Sequence, residues 1–270
     1  MPNLSDVALG IKIAMNAGTI TEFPRPYLGM SQLGNPCARR LWMYFRWAAQ
    51  TKYKKKSRRI FERGDIEEQR VLQYWREIGI KIEDTQRTLI GCDGHLKGHT
   101  DGVLRNIPGI EDVPMVGEIK SMAHKYFVPL TKKGLKASKP EYYSQAQIYM
   151  HYEGLKHCLH HTTNKNDEDF YIEIIEYDKD HAEDLDNKAR DIIFSAMPPR
   201  KISEDPTYWM CQWCDFYGPC QLNDNFLRTC RTCQHSTPAP GGKWECSEHS
   251  KELTIDEQKA ACTKYDCLKV

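Results

Sequence analysis

The sequence predicts a mixed α/β layer domain through about residue 222, followed by a small cysteine-stapled tail over 227–270. Three observations carry this. Short strand-like segments between residues 80 and 121 are bracketed by helical text, and a second strand pair between 156 and 177 is closed by another helix. From Leu227 onward the text turns to cysteines, turns and polar residues, too short a stretch to build a large core alone.

The elements follow in order. Leu4 to Ala17 reads as a short amphipathic helix, and Ser31 to Trp47 as a second helical region entered through Asn35-Pro36. Arg58 to Ile78 reads as a longer helix ended near Gly79, with Gly64, Glu68, Val71, Leu72 and Trp75 on one face. Ile80 to Ile90, His95 to Ile107 and Pro114 to Ser121 are strand segments divided by Gly, Asp and Pro. Pro140 to Tyr152 is a helix, Lys156 to Thr163 and Asp169 to Tyr177 are strands, and Asp178 to Ala196 is a helix stopped by Pro198-Pro199.

Composition narrows the class. The chain has 270 residues, 38 basic and 37 acidic side chains, and a net charge of +1, so a uniformly basic nucleic-acid coat is excluded but a local one is not. Lys52, Lys54, Lys55, Lys56, Arg58 and Arg59 form one such cluster, read as either a solvated loop or a phosphate contact. There is no apolar run long enough for a membrane span and no plan of a secretory signal, which gives a cytoplasmic expectation. Eleven cysteines, eight of them from Cys211 onward, point in a reducing compartment to metal rather than to disulfides.

The acidic core lies in Gly98-His99-Thr100-Asp101-Gly102 and Gly117-Glu118-Ile119-Lys120-Ser121. On a strand, Glu118 and Lys120 project from one face while Ile119 packs on the other. With Asp101 on a neighbouring strand, two carboxylates reach one hard cation, Mg²⁺ or Mn²⁺, of the kind that activates water against a phosphodiester. The expected ligands are Asp101, Glu118 and the Ile119 carbonyl, with Lys120 orienting the attacking water. Alone, an E-x-K triplet is equally an exposed charge pair.

Two cysteine sets follow. Cys211, Cys214 and Cys220 form C-x2-C-x5-C, suited to zinc or iron–sulfur, with Cys37 far upstream as the candidate fourth ligand. Cys230, Cys233 and Cys246 have zinc spacing, closed by Cys262 or, alternatively, His249. Cys92, Cys158 and Cys267 read as unliganded thiols.

Gly-His-Thr-Asp-Gly followed by Gly-Glu-Ile-Lys-Ser resembles the second and third motifs of the RecB-type branch of the PD-(D/E)xK nucleases. Gln145-Ala-Gln-Ile-Tyr149 matches the Gln-x-x-x-Tyr motif of that branch. Gly64-Asp-Ile-Glu-Glu68 occupies the helical motif, with Glu68 where the family often has His and Glu67 as its competitor; the shared face with Val71 and Trp75 favours Glu68 turning inward. One cysteine before the core and three after it is similar to the iron–sulfur nucleases of the AddB and CRISPR-associated types.

The resemblance implies a restriction-endonuclease-like core, a central mixed sheet flanked by helices. It further implies a structural [4Fe–4S] cluster on Cys37, Cys211, Cys214 and Cys220, a metal role for Glu68, and a cleft lined by Gln145 and Tyr149. The expected function is a DNA exonuclease of recombination, repair or phage DNA processing, in a bacterial or phage-infected cell. The alternatives are a non-catalytic DNA-binding or partner-docking module and a structure-specific endonuclease. No Walker motif is present, so unwinding would fall to a helicase or strand-annealing partner.

Overall fold

A computed structural model describes residues 3–268 of the chain. Helix α1 (Leu4–Asn16) leads through β1 (Thr19–Glu22) and β2 (Leu28–Gly29) to α2 (Ala38–Phe45), β3 (Thr51–Lys54) and the long α3 (Lys55–Glu77). Five strands follow: β4 (Lys81–Glu83), β5 (Thr88–Gly91), β6 (Leu96–His99), β7 (Gly102–Arg105) and β8 (Met115–Met122). Helices α4 (His124–Ser138) and α5 (Pro140–Glu153) precede β9 (His157–Asn164), β10 (Phe170–Glu176) and α6 (Lys179–Phe194). The chain closes with the short helices α7 (Trp209–Gln212) and α8 (Tyr217–Gln221), the strands β11 (Ser236–Ala239), β12 (Lys243–Cys246) and β13 (Lys251–Glu252), and α9 (Ile255–Ala260).

The central sheet has the order β10-β9-β8-β7-β4, antiparallel throughout except for the parallel β8–β9 pair. A second sheet, β2-β6-β5, lies beside it. The alternation along β8 sorts the layers. Met115 and Ile119 turn to one face, where Val71, Leu72 and Trp75 of α3 cover them with Leu104 and Leu159. Val116 and Met122 turn to the other face and pack with Ala146, Tyr149 and Met150 of α5 and Leu185, Ala189 and Ile192 of α6. Gly117 permits the close approach of α3, since a Cβ there would stand 3.1 Å from the Trp75 ring.

The strand segment expected over Ile80 to Ile90 is split between β4 and β5 of different sheets, the β1–β3 pair was not expected, and two helical segments also differ from the sequence expectation. The helical region expected over Ser31 to Trp47 is split into a single 3-10 turn, Met30–Gln32, and α2. Pro36 restricts Asn35 to extended backbone, so the helix starts only after Cys37, whose thiol caps it by accepting from the Arg40 N–H at 3.4 Å. Helix α4 was not anticipated: Pro129 and Gly134 interrupt its periodicity, and Gly134 breaks it with φ 75°.

The tail packs onto the same core rather than standing off it. Trp244 is fully buried beside Phe45 and His95. Arg231 donates to the Phe45 and Pro26 carbonyls at 3.0 and 2.9 Å and to the Gln258 amide oxygen at 2.9 Å. Arg46 reaches back to the Ser236 and Ser195 carbonyls. No helix among the described residues is long and apolar enough to cross a membrane.

Candidate active site

The acidic residues meet where β7 and β8 diverge. Strand pairing between them ends at Gly102 and Gly117, so the β7-facing edge of β8 is open from Glu118 onward. Asp101 fills the gap: its Oδ2 accepts the Ile119 N–H at 2.7 Å. The N–H and C=O of one strand residue leave on the same side, so the Ile119 carbonyl faces the same opening.

Glu118 is fully buried on the α5 face of β8. Its Oε1 accepts from the Gln145 amide at 2.7 Å and from the Lys120 ammonium. Its Oε2 is buried with no protein partner. A carboxylate oxygen in that state is costly unless a cation or a donor meets it. Burial and the neighbouring Glu118 charge push the Asp101 pKa up to about 7. Burial also raises the Glu118 pKa, against the pull of Lys120. Burial opposes charge on Lys120, but Glu118 and Asp101 outweigh it and hold the ammonium protonated.

Glu68 faces this group from α3. Burial first and Asp101 second raise its pKa, and the Gln86 amide donates to its Oε1 at 2.7 Å. It is only half-buried, however, and Glu67 takes the more buried position, paired with Arg70 at 2.9 Å. The face shared with Val71 and Trp75 therefore does not by itself separate the two glutamates; proximity to Asp101 does. Tyr149 stands one turn beyond Gln145, buried at 3% exposure, against Gly98. A Cβ on Gly98 would come within 2.6 Å of the Tyr149 ring, so glycine there is what lets β6 press on α5.

The donor types suit a hard divalent cation: Asp101, Glu118 and Glu68, which feels the Asp101 charge, offer carboxylates near the Ile119 carbonyl and the Lys120 ammonium, and Glu118 Oε2 has no protein partner. As the side chains stand, no group of three or more His, Cys, Asp or Glu among the described residues is arranged to hold a metal ion.

The cysteine sets gather around two further cavities. Cys37, Cys211, Cys214 and Cys220 line one, with Arg40 and Lys201 at its wall. Gln221 donates to the Cys211 thiol at 3.4 Å. Lys188 stands beside Cys37, its ammonium bonded to the Leu33 and Asn35 carbonyls at 2.7 and 2.6 Å. Cys230, Cys233, Cys246 and Cys262 line the other cavity with His249, whose Nε2 lies 3.4 Å from the Cys262 thiol. Burial and its three neighbouring thiols raise the Cys230 pKa to about 11. Cys92 and Cys158 are buried elsewhere, and Cys267 bridges by backbone to Cys233.

Sequence reasoning missed several residues at the site. His160, paired across β8–β9 with Glu118, is buried; burial and Lys120 drive its pKa down to about 3, so it stays neutral. Tyr142 lies with its ring 5.5 Å from the Lys120 ammonium. A legible signal was overlooked: from Ile119 to Pro140 the chain carries six lysines and no carboxylate. The cluster from Lys52 to Arg59 is instead partly engaged, with Arg59 bonded to Met15 and Asn16 of α1 and Arg58 to Glu62.

No protein-family model and no curated protein matches the chain. Among solved structures, it is similar to LHK-Exo in complex with dAMP, at 16% identity over 62% of this chain and 86% of that one, with a TM-score of 0.47. It is similar to an alkaline exonuclease (LHK-Exo) from Laribacter hongkongensis at 18% identity, 62% and 86% coverage and a TM-score of 0.45. A third likeness is to SSO0001, at 18% identity, 81% and 96% coverage and a TM-score of 0.44. The functional reading rests on the geometry of the site itself.

Proposed function

We propose that the chain is a divalent-metal-dependent deoxyribonuclease, an exonuclease hydrolysing phosphodiester bonds in DNA recombination, repair or phage DNA processing. The observation that carries this is the unpartnered, buried Glu118 Oε2 amid Asp101, Glu68 and Lys120. Asp101, Glu118, Glu68 and the Ile119 carbonyl would hold Mg²⁺ or Mn²⁺. When bound, the ion supplies Lewis-acid polarisation of the phosphate and a lowered pKa for an adjacent water.

The protein's own groups do the rest. Gln145 pins Glu118 Oε1 and leaves Oε2 for the cation. The Ile119 N–H fixes Asp101 in register with it. Lys120, held protonated, orients the attacking water and balances charge on the phosphate oxygens. Tyr149 closes the cleft behind them.

The same reading assigns Cys37, Cys211, Cys214 and Cys220 to a [4Fe–4S] cluster. It assigns Cys230, Cys233, Cys246 and Cys262 to zinc. The cavity that each set lines and the positive groups around Cys37 support it.

The test uses anaerobically purified full-length protein with end-labelled single- and double-stranded DNA and Mg²⁺ or Mn²⁺. Glu118→Gln and Lys120→Ala should each lose about 10²–10³-fold or more in rate. Equal degradation by parent and Glu118→Gln would sink the assignment.

A further inference from the structure

Helix α4 begins two residues after β8 ends, so whatever it exposes stands beside the catalytic strand. Its first turn is tied down. The His124 N–H donates to the Asn166 side chain at 2.9 Å, and the Asn164 amide lies 2.9 Å from His124 Nδ1. On this fixed turn Tyr126 is 47% exposed. Two ammonium groups flank the ring, Lys139 at 4.4 Å and Lys125 at 4.7 Å from its centroid.

Neither lysine has a carboxylate at ion-pair distance among the described residues. Both belong to the lysine-rich, carboxylate-free stretch that starts at Lys120. Lys139 also connects the ring to the catalytic centre. It caps α5, its carbonyl accepts the Tyr142 N–H at 3.0 Å, and the Tyr142 ring lies beside Lys120. Lys139, whose ammonium lies over the Tyr126 ring, thus stands about one helical turn before Tyr142, the aromatic neighbour of Lys120. An exposed aromatic ring between cations, on the helix that follows the strand of Glu118 and Lys120, matches the way proteins hold single strands: bases stack, and ammonium groups follow the backbone.

We propose that Tyr126 is a stacking station for one nucleobase of a single DNA strand, with Lys125 and Lys139 on the flanking phosphates. The strand runs from this station past Tyr142 to Glu118 and Lys120. The station rests on the nuclease reading of that centre and adds to it a preference for an unpaired strand on the α4 side.

The experiment uses full-length protein with Ca²⁺ in place of Mg²⁺ and a set of short DNA oligonucleotides. Each oligonucleotide carries one 2-aminopurine, at successive positions. With the parent protein, one position should be quenched on binding. Tyr126→Ala should relieve that quenching and weaken single-strand binding about five- to a hundredfold. Tyr126→Phe should restore both. With Mg²⁺, the Tyr126→Ala loss should fall mainly on KM.

Lys139→Ala should lower the salt slope of single-strand binding by about 0.7. Lys156→Ala serves as the control, because its ammonium sits 4.5 Å over Tyr177 at the opposite end of β9. Parent-like binding and quenching in Tyr126→Ala, in a protein that cleaves DNA, overturns the station and leaves the nuclease reading intact. Quenching that survives in Tyr126→Ala but shifts with Lys139→Ala overturns the stacking role. A folded parent that neither binds nor cleaves DNA removes both.

Discussion

Burial and mutual repulsion raise the pKa values of the carboxyl groups at the candidate site, Asp101, Glu118 and Glu68. Asp101 is the most telling, because its protonation reports whether a cation is present. Its folded-state pKa lies above its unfolded value, so between about pH 4 and 7 the native protein binds more protons than the unfolded chain. Without metal, stability therefore falls as pH rises through that window. With metal, the direction reverses, because binding requires the ionised carboxylate and releases its proton. Mg²⁺ affinity, measured by titration calorimetry, should rise with pH up to about 7 and then level off. Asp101→Asn keeps an oxygen for the Ile119 N–H but removes the charge. It should raise the metal-free melting temperature at pH 8 by roughly 5 °C while abolishing Mg²⁺ binding. A lowered melting temperature would show that the Asp101 charge is compensated within the protein.

The elements that present these groups were legible to different degrees. The alternation of Glu118, Ile119 and Lys120 gave β8 and the face of each side chain, and the i, i+4 spacing of Gln145 and Tyr149 gave their common helix face. What was not legible depended on contacts between distant segments. The burial of Glu67 over Glu68 follows from how α3 lies across the sheet, with Arg70 and Lys165 near Glu67. Helix α4 was hidden because Gly134 and Pro129 erase its period, although its charge bias was plain in the text. The role of Gly98 was also invisible, since nothing in a Gly-His dipeptide announces a tyrosine against it. Gly98→Ala should cost about 1–3 kcal/mol in denaturant unfolding and displace Tyr149, lowering activity at temperatures where the protein stays folded. Unchanged unfolding would mean that Tyr149 yields without loss.

At the scale of the molecule, the cysteines gather in two sets, one drawn from distant parts of the chain and one from the C-terminal segment. Cys37 and Cys211 are separated in sequence by the whole central sheet yet line one cavity. A metal closure of a loop that long would stabilise by an amount on the order of 4 kcal/mol in the chain-entropy picture. Anaerobically purified protein should be coloured and contain iron, and Cys37→Ser should lose both colour and thermal stability. In the second set, Cys262→Ser should lower zinc content by elemental analysis, while His249→Ala should not. The reverse pattern would move the fourth ligand to His249.

The buried arginines carry a consequence for how the protein is made. Arg231 reaches the carbonyls of Phe45 and Pro26, and Arg46 reaches that of Ser236, so the segment around Pro26 to Arg46 leans on residues synthesised 186 to 205 positions later. At about 5–20 residues per second, a ribosome would spend on the order of ten seconds or more between making the two sides of that contact. During that interval Phe45 has no Trp244 or Arg231, and Trp47 no Arg231, to cover it. The nascent chain thus carries an aromatic surface for as long as it takes to make the residues between Trp47 and Arg231.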